Sequence, residues 1–307
     1  MNSESNRIVF ESVGHRVFYV FLILFMVLLA FCMAYPYLNV VAKAFNNGYD
    51  TVLGGITIYP RVPTIENFSI VLSDSTVLNS FLVSVARVLI GTLLALIVQF
   101  SSAYAFTKKS LKGRGYILVF FLIPMFFGGG LIPQYLVYSK LKLLNNFLVY
   151  VLPGASSMFN IVLIRTYLYT IPESCQESAK LDGASEIVIM TRIMLPLAMP
   201  ILATVALWVA VGHWNDWTTT LYFVTKDKLF PLQYVLMRML KQYEELNKLI
   251  ENAIMTGRAV SSSSFLKPKP ESLQAAQIVI STLPIIIVYP FLQKYFIKGI
   301  MVGALKD

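Results

Sequence analysis

Charge is scarce in this chain, with Lys, Arg, Asp and Glu together making up 13% of 307 residues, about half the share usual in a soluble domain. Cysteine and histidine are scarcer still: Cys32 lies inside an apolar run, Cys175 in a polar stretch, and His15 and His213 stand far apart. Two thiols exclude a disulfide framework and a thiolate metal site, and two distant histidines argue against a zinc centre. No G-x-x-x-x-G-K-[ST] loop occurs, so any phosphate chemistry belongs to a partner. Neither paired carboxylates nor metal-ligand spacings occur, which leaves a membrane-embedded enzyme without support.

What the chain has in quantity is apolar surface. Hydrophobic residues form 57% of it and the mean hydropathy is +0.68, so the bilayer is its solvent. A helix needs about 20 apolar residues to cross about 30 Å of hydrocarbon, and six segments qualify: 17–38, 79–107, 116–138, 143–169, 197–223 and 275–296. The first follows Arg16, exceeds the short core of a secretory signal and has a poor cleavage site at Cys32-Met33-Ala34, so it reads as a retained span. The third is broken by Pro124, Gly128, Gly129, Gly130 and Pro133, and the fourth by Pro153 and Gly154; the last two carry Pro200, Pro284 and Pro290. In lipid such breaks stand only where neighbouring helices or a cavity satisfy the freed backbone groups. The expected fold is an all-α polytopic membrane protein of six transmembrane helices. Arg87 lies 21 residues before Lys108, about 31 Å along a helix, which places it at the opposite interface.

Six crossings put residues 1–16 and 297–307 on one side, which we assign to the cytoplasm. The basic cluster Lys108, Lys109, Lys112 and Arg114 after the second span favours this orientation. The net charge of +9 falls between apolar runs and reads as membrane-flanking loops, not as a nucleic-acid face. With that cluster included, basic residues balance, twelve on each side, with eight of the outer twelve in the long outer loop 225–274. The loop before the fifth span therefore has to decide the orientation.

That loop, residues 171–196, reads as two short helices around a glycine. Pro172 suits a first helical turn, Glu173 its positive end, and Gly183 a tight turn. Ala184 to Leu195 is expected as the second helix, with Ile187, Met190 and Met194 at helical spacing and Pro196 starting the next span. Cys175 is a small loop residue, with neither a base nor a second thiol beside it. A protruding, partly apolar hairpin is built to enter another protein's groove.

Glu177, Ala179, Gly183, Ile193, Leu195 and Pro196 match the E-A-A, three residues, G, nine residues, I-x-L-P loop of ABC importer permeases, which the chain resembles. Ser178 departs from the pattern, standing where it has alanine, and Asp182 and Ala184 flank the glycine as in sugar permeases. Asn79-Ser80, Ala103-Tyr104-Ala105-Phe106, Ile132-Pro133-Gln134-Tyr135-Leu136 and Leu144-Asn145-Asn146 are similar to the maltose-type G-subunit permeases. The ending Tyr289 to Phe296 with Lys298-Gly299 resembles the LplC/YtcP-like group. The resemblance implies a type I permease fold in a bacterial plasma membrane and import of an oligo- or polysaccharide. It also implies a second permease subunit, a cytoplasmic ATPase dimer holding ATP and Mg²⁺, and an extracytoplasmic saccharide-binding protein. Its ATPase-coupling residues would be Glu177, Ser178, Ala179, Asp182, Gly183, Ala184, Ile193, Leu195 and Pro196, with Glu177 meeting a basic residue of the ATPase.

Elsewhere the sequence leaves alternatives open. His213-Trp214-Asn215-Asp216-Trp217 mixes aromatic faces with hydrogen-bonding groups near the outer mouth, as a sugar site or as an interfacial aromatic belt with a solvated aspartate. Gln99 and Tyr104 line the pore or pack between helices. In the outer loop, Leu232, Val235, Leu236, Met239, Tyr243, Leu246 and Ile250 mark an amphipathic helix, followed by Ser261 to Ser264, Pro268 and Pro270. In the maltose-type permeases that the chain resembles, the corresponding loop touches the binding protein, and Met239, Tyr243 and Leu246 are the candidate contacts here; the other reading is a helix lying on the membrane. A secondary transporter also has broken helices, but needs a coupling-ion site, and the spans hold no buried acid cluster.

Overall fold

The computed structural model describes residues 13–73, 75–256 and 270–304, in two compact units: Met1–Val71 with Ile250–Val279, and Leu72–Leu249 with Ile280–Asp307. In the first unit, α1 (Val13–Ala44) runs for 32 residues through Pro36, a length of about 48 Å. Every large apolar side chain from Val17 to Phe31 is exposed, so apolar surface lies all round the helix, as in a membrane span. Beyond α1 the chain is tied by asparagines around α2 (Gly48–Val52) and the start of α3 (Glu66–Ser73). Buried Asn46 donates to Asp50 Oδ2 at 2.9 Å and Thr51 Oγ1 at 3.0 Å, and accepts from Val62 N at 2.8 Å. Asn67 donates to the carbonyls of Ala44 and Asn46 at 2.9 and 2.8 Å, which satisfies two acceptors just past the end of this helix.

The second unit is built around α4 (Ser75–Ala105). The helices α5 (Arg114–Phe126), α6 (Leu131–Lys140), α7 (Leu148–Val151, extended by a 3₁₀ turn at Pro153–Ala155) and α8 (Met158–Leu168) follow. Next come α9 (Ser174–Leu181), α10 (Glu186–Leu197), α11 (Met199–Asn215), α12 (Thr218–Phe223) and α13 (Leu232–Met255), and the last helix is α14 (Pro270–Ala304). By length and composition α1, α4 and Glu271–Val288 of α14 each suffice to cross a membrane unaided.

Three further stretches are long and apolar enough to cross only when each bent pair is taken together: α5 with α6 at 120°, α7 and its 3₁₀ turn with α8 at 46°, and α10 with α11 at 79°. The segment expected at 116–138 is thus folded back on itself. At the fold Phe127 is extended and Gly130 has φ +82°, so the helical ladder stops and restarts there. Pro196 likewise lies in the last turn of α10, before the 79° bend, and the next span begins at Met199.

α4 packs against α8 and α11. Phe100, Ala103 and Tyr104 of α4 share one buried cluster with Ile161, Ile164 and Leu168 of α8, Ile201, Leu202 and Val205 of α11, and Ala179, Ile189 and Met194 from the 171–196 loop. The loop is therefore rooted in the helix core.

Candidate functional site

Helix α9 closes on Gly183, whose φ is +78°. The amide of Gly183 donates to Lys180 O at 3.0 Å and that of Ala184 to Ala179 O at 2.9 Å, the paired bonds of a Schellman stop. A left-handed residue is required there, and glycine takes it without strain. Ser185 then leads into α10, whose central stretch Ile189–Met194 winds as a π-helix. This changes the expected apolar face. Ile187 is 70% exposed, whereas Ile189 and Met194 are both fully buried. Residues five apart point about 140° from each other in an α-helix, and the wider i→i+5 winding swings them onto one side.

Of the coupling residues, Ala179 is buried, Ala184, Ile193 and Leu195 are half-buried against the core, and Glu177, Ser178, Asp182, Gly183 and Pro196 are exposed. Since Ser178 faces outward, serine in place of alanine disturbs no packing. The tip presents Glu177, Leu181 (89% exposed) and Ile187.

Glu186 fastens the hairpin to the end of α4. It accepts from Tyr104 Oη at 2.7 Å and pairs with Lys108 at 2.8 Å and Lys180 at 3.2 Å. Lys108 also donates to Gln176 Oε1 at 2.8 Å and lies 4.2 Å from the Tyr104 ring centroid. Lys108 first, then Tyr104, with a smaller contribution from Lys180, hold the Glu186 carboxyl at about 2, against some loss of solvation. A cavity of about 280 Å³ beside this knot is lined by Lys108, Lys109, Glu173, Gln176, Glu177 and Lys180. Glu186 and Lys108 escaped the sequence reading; the basic run after the second span, facing an acid-bearing loop, was their signal.

At the other end of α4, Arg87 is buried to 2% exposure and ion-paired with Asp216; its Nη1 donates to Asp216 O at 2.7 Å. The Asp216 carboxylate also accepts from Thr218 Oγ1 at 2.8 Å and from Thr219 Oγ1 at 2.6 Å, and from Thr219 N at 3.1 Å, so it caps α12. The guanidinium lies 4.5 Å from the ring centroid of Tyr150, whose hydroxyl meets Thr220 Oγ1 and Leu229 O at 3.0 Å each. Arg87 is thus inside the packed helices, and Asp216 is paired with it. Desolvation makes the difference: a guanidinium removed from water needs a carboxylate partner.

The remaining path candidates are dispersed. Trp214 is buried and donates to Ser281 O at 2.9 Å; Asn215 is exposed and Trp217 half-buried. Gln99 is fully buried and donates to Ala155 O at 3.2 Å, and Tyr104 donates to Glu186. His213 fills the gap between Gly91 and Gly154, where an added Cβ at Gly91 would clash with its ring and one at Gly154 would lie 3.5 Å from its Cε1.

The amphipathic helix expected in the outer loop is α13. Leu232, Val235 and Leu236 are buried, the Leu232 amide donates to Ser84 Oγ at 2.8 Å, and Met239 is half-buried. The side chains of Tyr243, Leu246 and Ile250 lie outside the described residues, as do Ser261 to Ser264 and Pro268.

Residues 87–302 match the family described as "Binding-protein-dependent transport system inner membrane component". Protein LplC of Bacillus subtilis (strain 168) is 36% identical over 291 residues, 95% of each chain. The polygalacturonan/rhamnogalacturonan transport system permease protein YtcP of the same organism is 30% identical over 292 residues, covering 95% of this chain and 99% of its own. A chain in the crystal structure of a bacterial ABC transporter involved in the import of the acidic polysaccharide alginate superposes with TM-score 0.80 at 28% identity, covering 94% of this chain and 99% of that one.

Proposed function

Since the chain belongs to the family of inner membrane components of binding-protein-dependent transport systems, we propose that it is the permease subunit of an ATP-driven saccharide importer. It forms half of the pore beside a second permease subunit, with both termini in the cytoplasm. A cytoplasmic ATPase dimer, which holds ATP and Mg²⁺, docks on the α9–α10 hairpin, and an extracytoplasmic binding protein delivers the sugar. Support for the substrate class comes from the relatives named for pectic polysaccharides and alginate.

The observation that carries this reading is the hairpin itself. Its tip exposes a carboxylate and the apolar residues Leu181 and Ile187, while its base is embedded between α4, α8 and α11. An exposed apolar tip on a rooted base is what a partner's groove can grip and move. When the ATPase closes, the displaced hairpin takes the helix core with it, because Ala179, Ile189 and Met194 belong to that core. Gly183→Pro or Glu177→Arg should abolish ATP-driven saccharide uptake in proteoliposomes while membrane insertion persists; wild-type rates in both variants would refute the assignment.

A further inference from the structure

The 120° fold between α5 and α6 leaves an unusual stretch of backbone. Gly128, Gly129 and Gly130 are exposed, and their amides have no hydrogen-bond partner among the described residues. In a chain whose solvent is hydrocarbon, bare peptide groups are tolerated only where they line water or meet a polar ligand. They do border a space: a cavity of about 730 Å³ between this fold and α12, within the range of about 300–1,000 Å³ typical of small-molecule sites.

The lining combines two kinds of surface. Tyr222 offers a half-exposed ring, and Phe223 is backed by Tyr135, whose ring stacks on it at 6.2 Å. The same lining carries oriented polar groups. Thr218 and Thr219 donate their hydroxyl protons to Asp216, so their oxygens are left to accept. Gln134 donates to Tyr138 Oη at 2.6 Å, which leaves its carbonyl oxygen free to accept from a ligand. No charged side chain is among the lining residues described; the charge of Arg87 is spent on Asp216, behind the threonines.

We propose that this cavity is a saccharide subsite on the import path, taking the ring face and hydroxyl groups of one sugar unit. Aromatic rings meet the apolar face of a pyranose, threonine and glutamine oxygens accept from its hydroxyls, and the bare glycine amides donate to it. A carboxylate on the sugar gains nothing here, so the site reads the ring and not the charge. The proposal rests on the reading of the chain as a saccharide permease, and it moves the sugar contact away from Trp214, Gln99 and Tyr104.

The test uses the complete transporter with its binding protein in proteoliposomes, offered a mixture of short maltodextrins, arabino-oligosaccharides and oligogalacturonides. The readout is sugar imported per ATP hydrolysed. Tyr222→Ala should lower this ratio about tenfold and Tyr222→Phe should restore it, since the ring carries the contact. Gly128→Phe should block import by filling the cavity, because a Cβ there meets nothing within 4 Å and the backbone is not left-handed. Wild-type ratios in Tyr222→Ala and Gly128→Phe would overturn the subsite, as would a parallel loss of import and ATP hydrolysis in both. If the wild-type transporter imports none of the three sugars, the functional reading itself falls, and the subsite with it.

Discussion

Single residues at the two ends of α4 carry most of the local consequences. Gly183 sits at φ +78°, so Gly183→Ala should destabilise the hairpin by about 1 kcal/mol, read as faster amide exchange in α9. Glu186 is held at about 2 from a usual 4.5. A carboxyl with a depressed value stabilises the fold above its unfolded pKa, and that contribution is lost as pH falls through the folded one. Exchange protection in α10 should accordingly hold steady down to about pH 5 and fail between about 4.5 and 2. Glu186→Gln should flatten this dependence. Arg87→Met would leave Asp216 unpaired in a partly buried setting, at a cost of about 3 kcal/mol in thermal unfolding of the purified complex, most of it recovered by adding Asp216→Asn. The Arg87–Asp216 pair was illegible in the sequence because its partners are 129 positions apart, and no local periodicity links residues at such a distance. Gly183 was legible because a glycine after a short helix follows a local rule, the stop of that helix, whereas Glu177 stood out only through the resemblance to the importer loop.

Among the elements, α4 and α11 approach closely at Gly91, where a methyl group would clash with the His213 ring. Gly91→Ala should thus cost about 1–3 kcal/mol by overpacking, and His213→Ala in the same chain should relieve it; denaturation of both variants checks this. The apolar segments and their proline and glycine breaks were readable from composition. Directions were not: the glycine run at 128–130 announced an interruption, but the 120° turn also depends on where α6 finds partners, such as Tyr135 and Tyr138 against Phe223. The π winding of α10 was equally hidden, since burial of both Ile189 and Met194 is set by the neighbouring helices and not by their spacing.

At the scale of the whole molecule, orientation has its own test. Cysteines introduced at Ser110 and Ser185 should be shielded from an impermeant thiol reagent in intact cells, and one at Ser262 should react; labelling at Ser185 from outside would invert the topology. One continuous helix joins the Tyr104–Glu186 knot to the Arg87–Asp216 pair, about 26 Å apart along its axis. A shared rod of this kind works in both directions. In the proposed complex, if nucleotide binding changes sugar affinity at the Arg87 end by some factor, sugar must change the affinity for nucleotide by that same factor. An occupied pore would therefore announce itself at the nucleotide through the same stiff helix that carries the stroke.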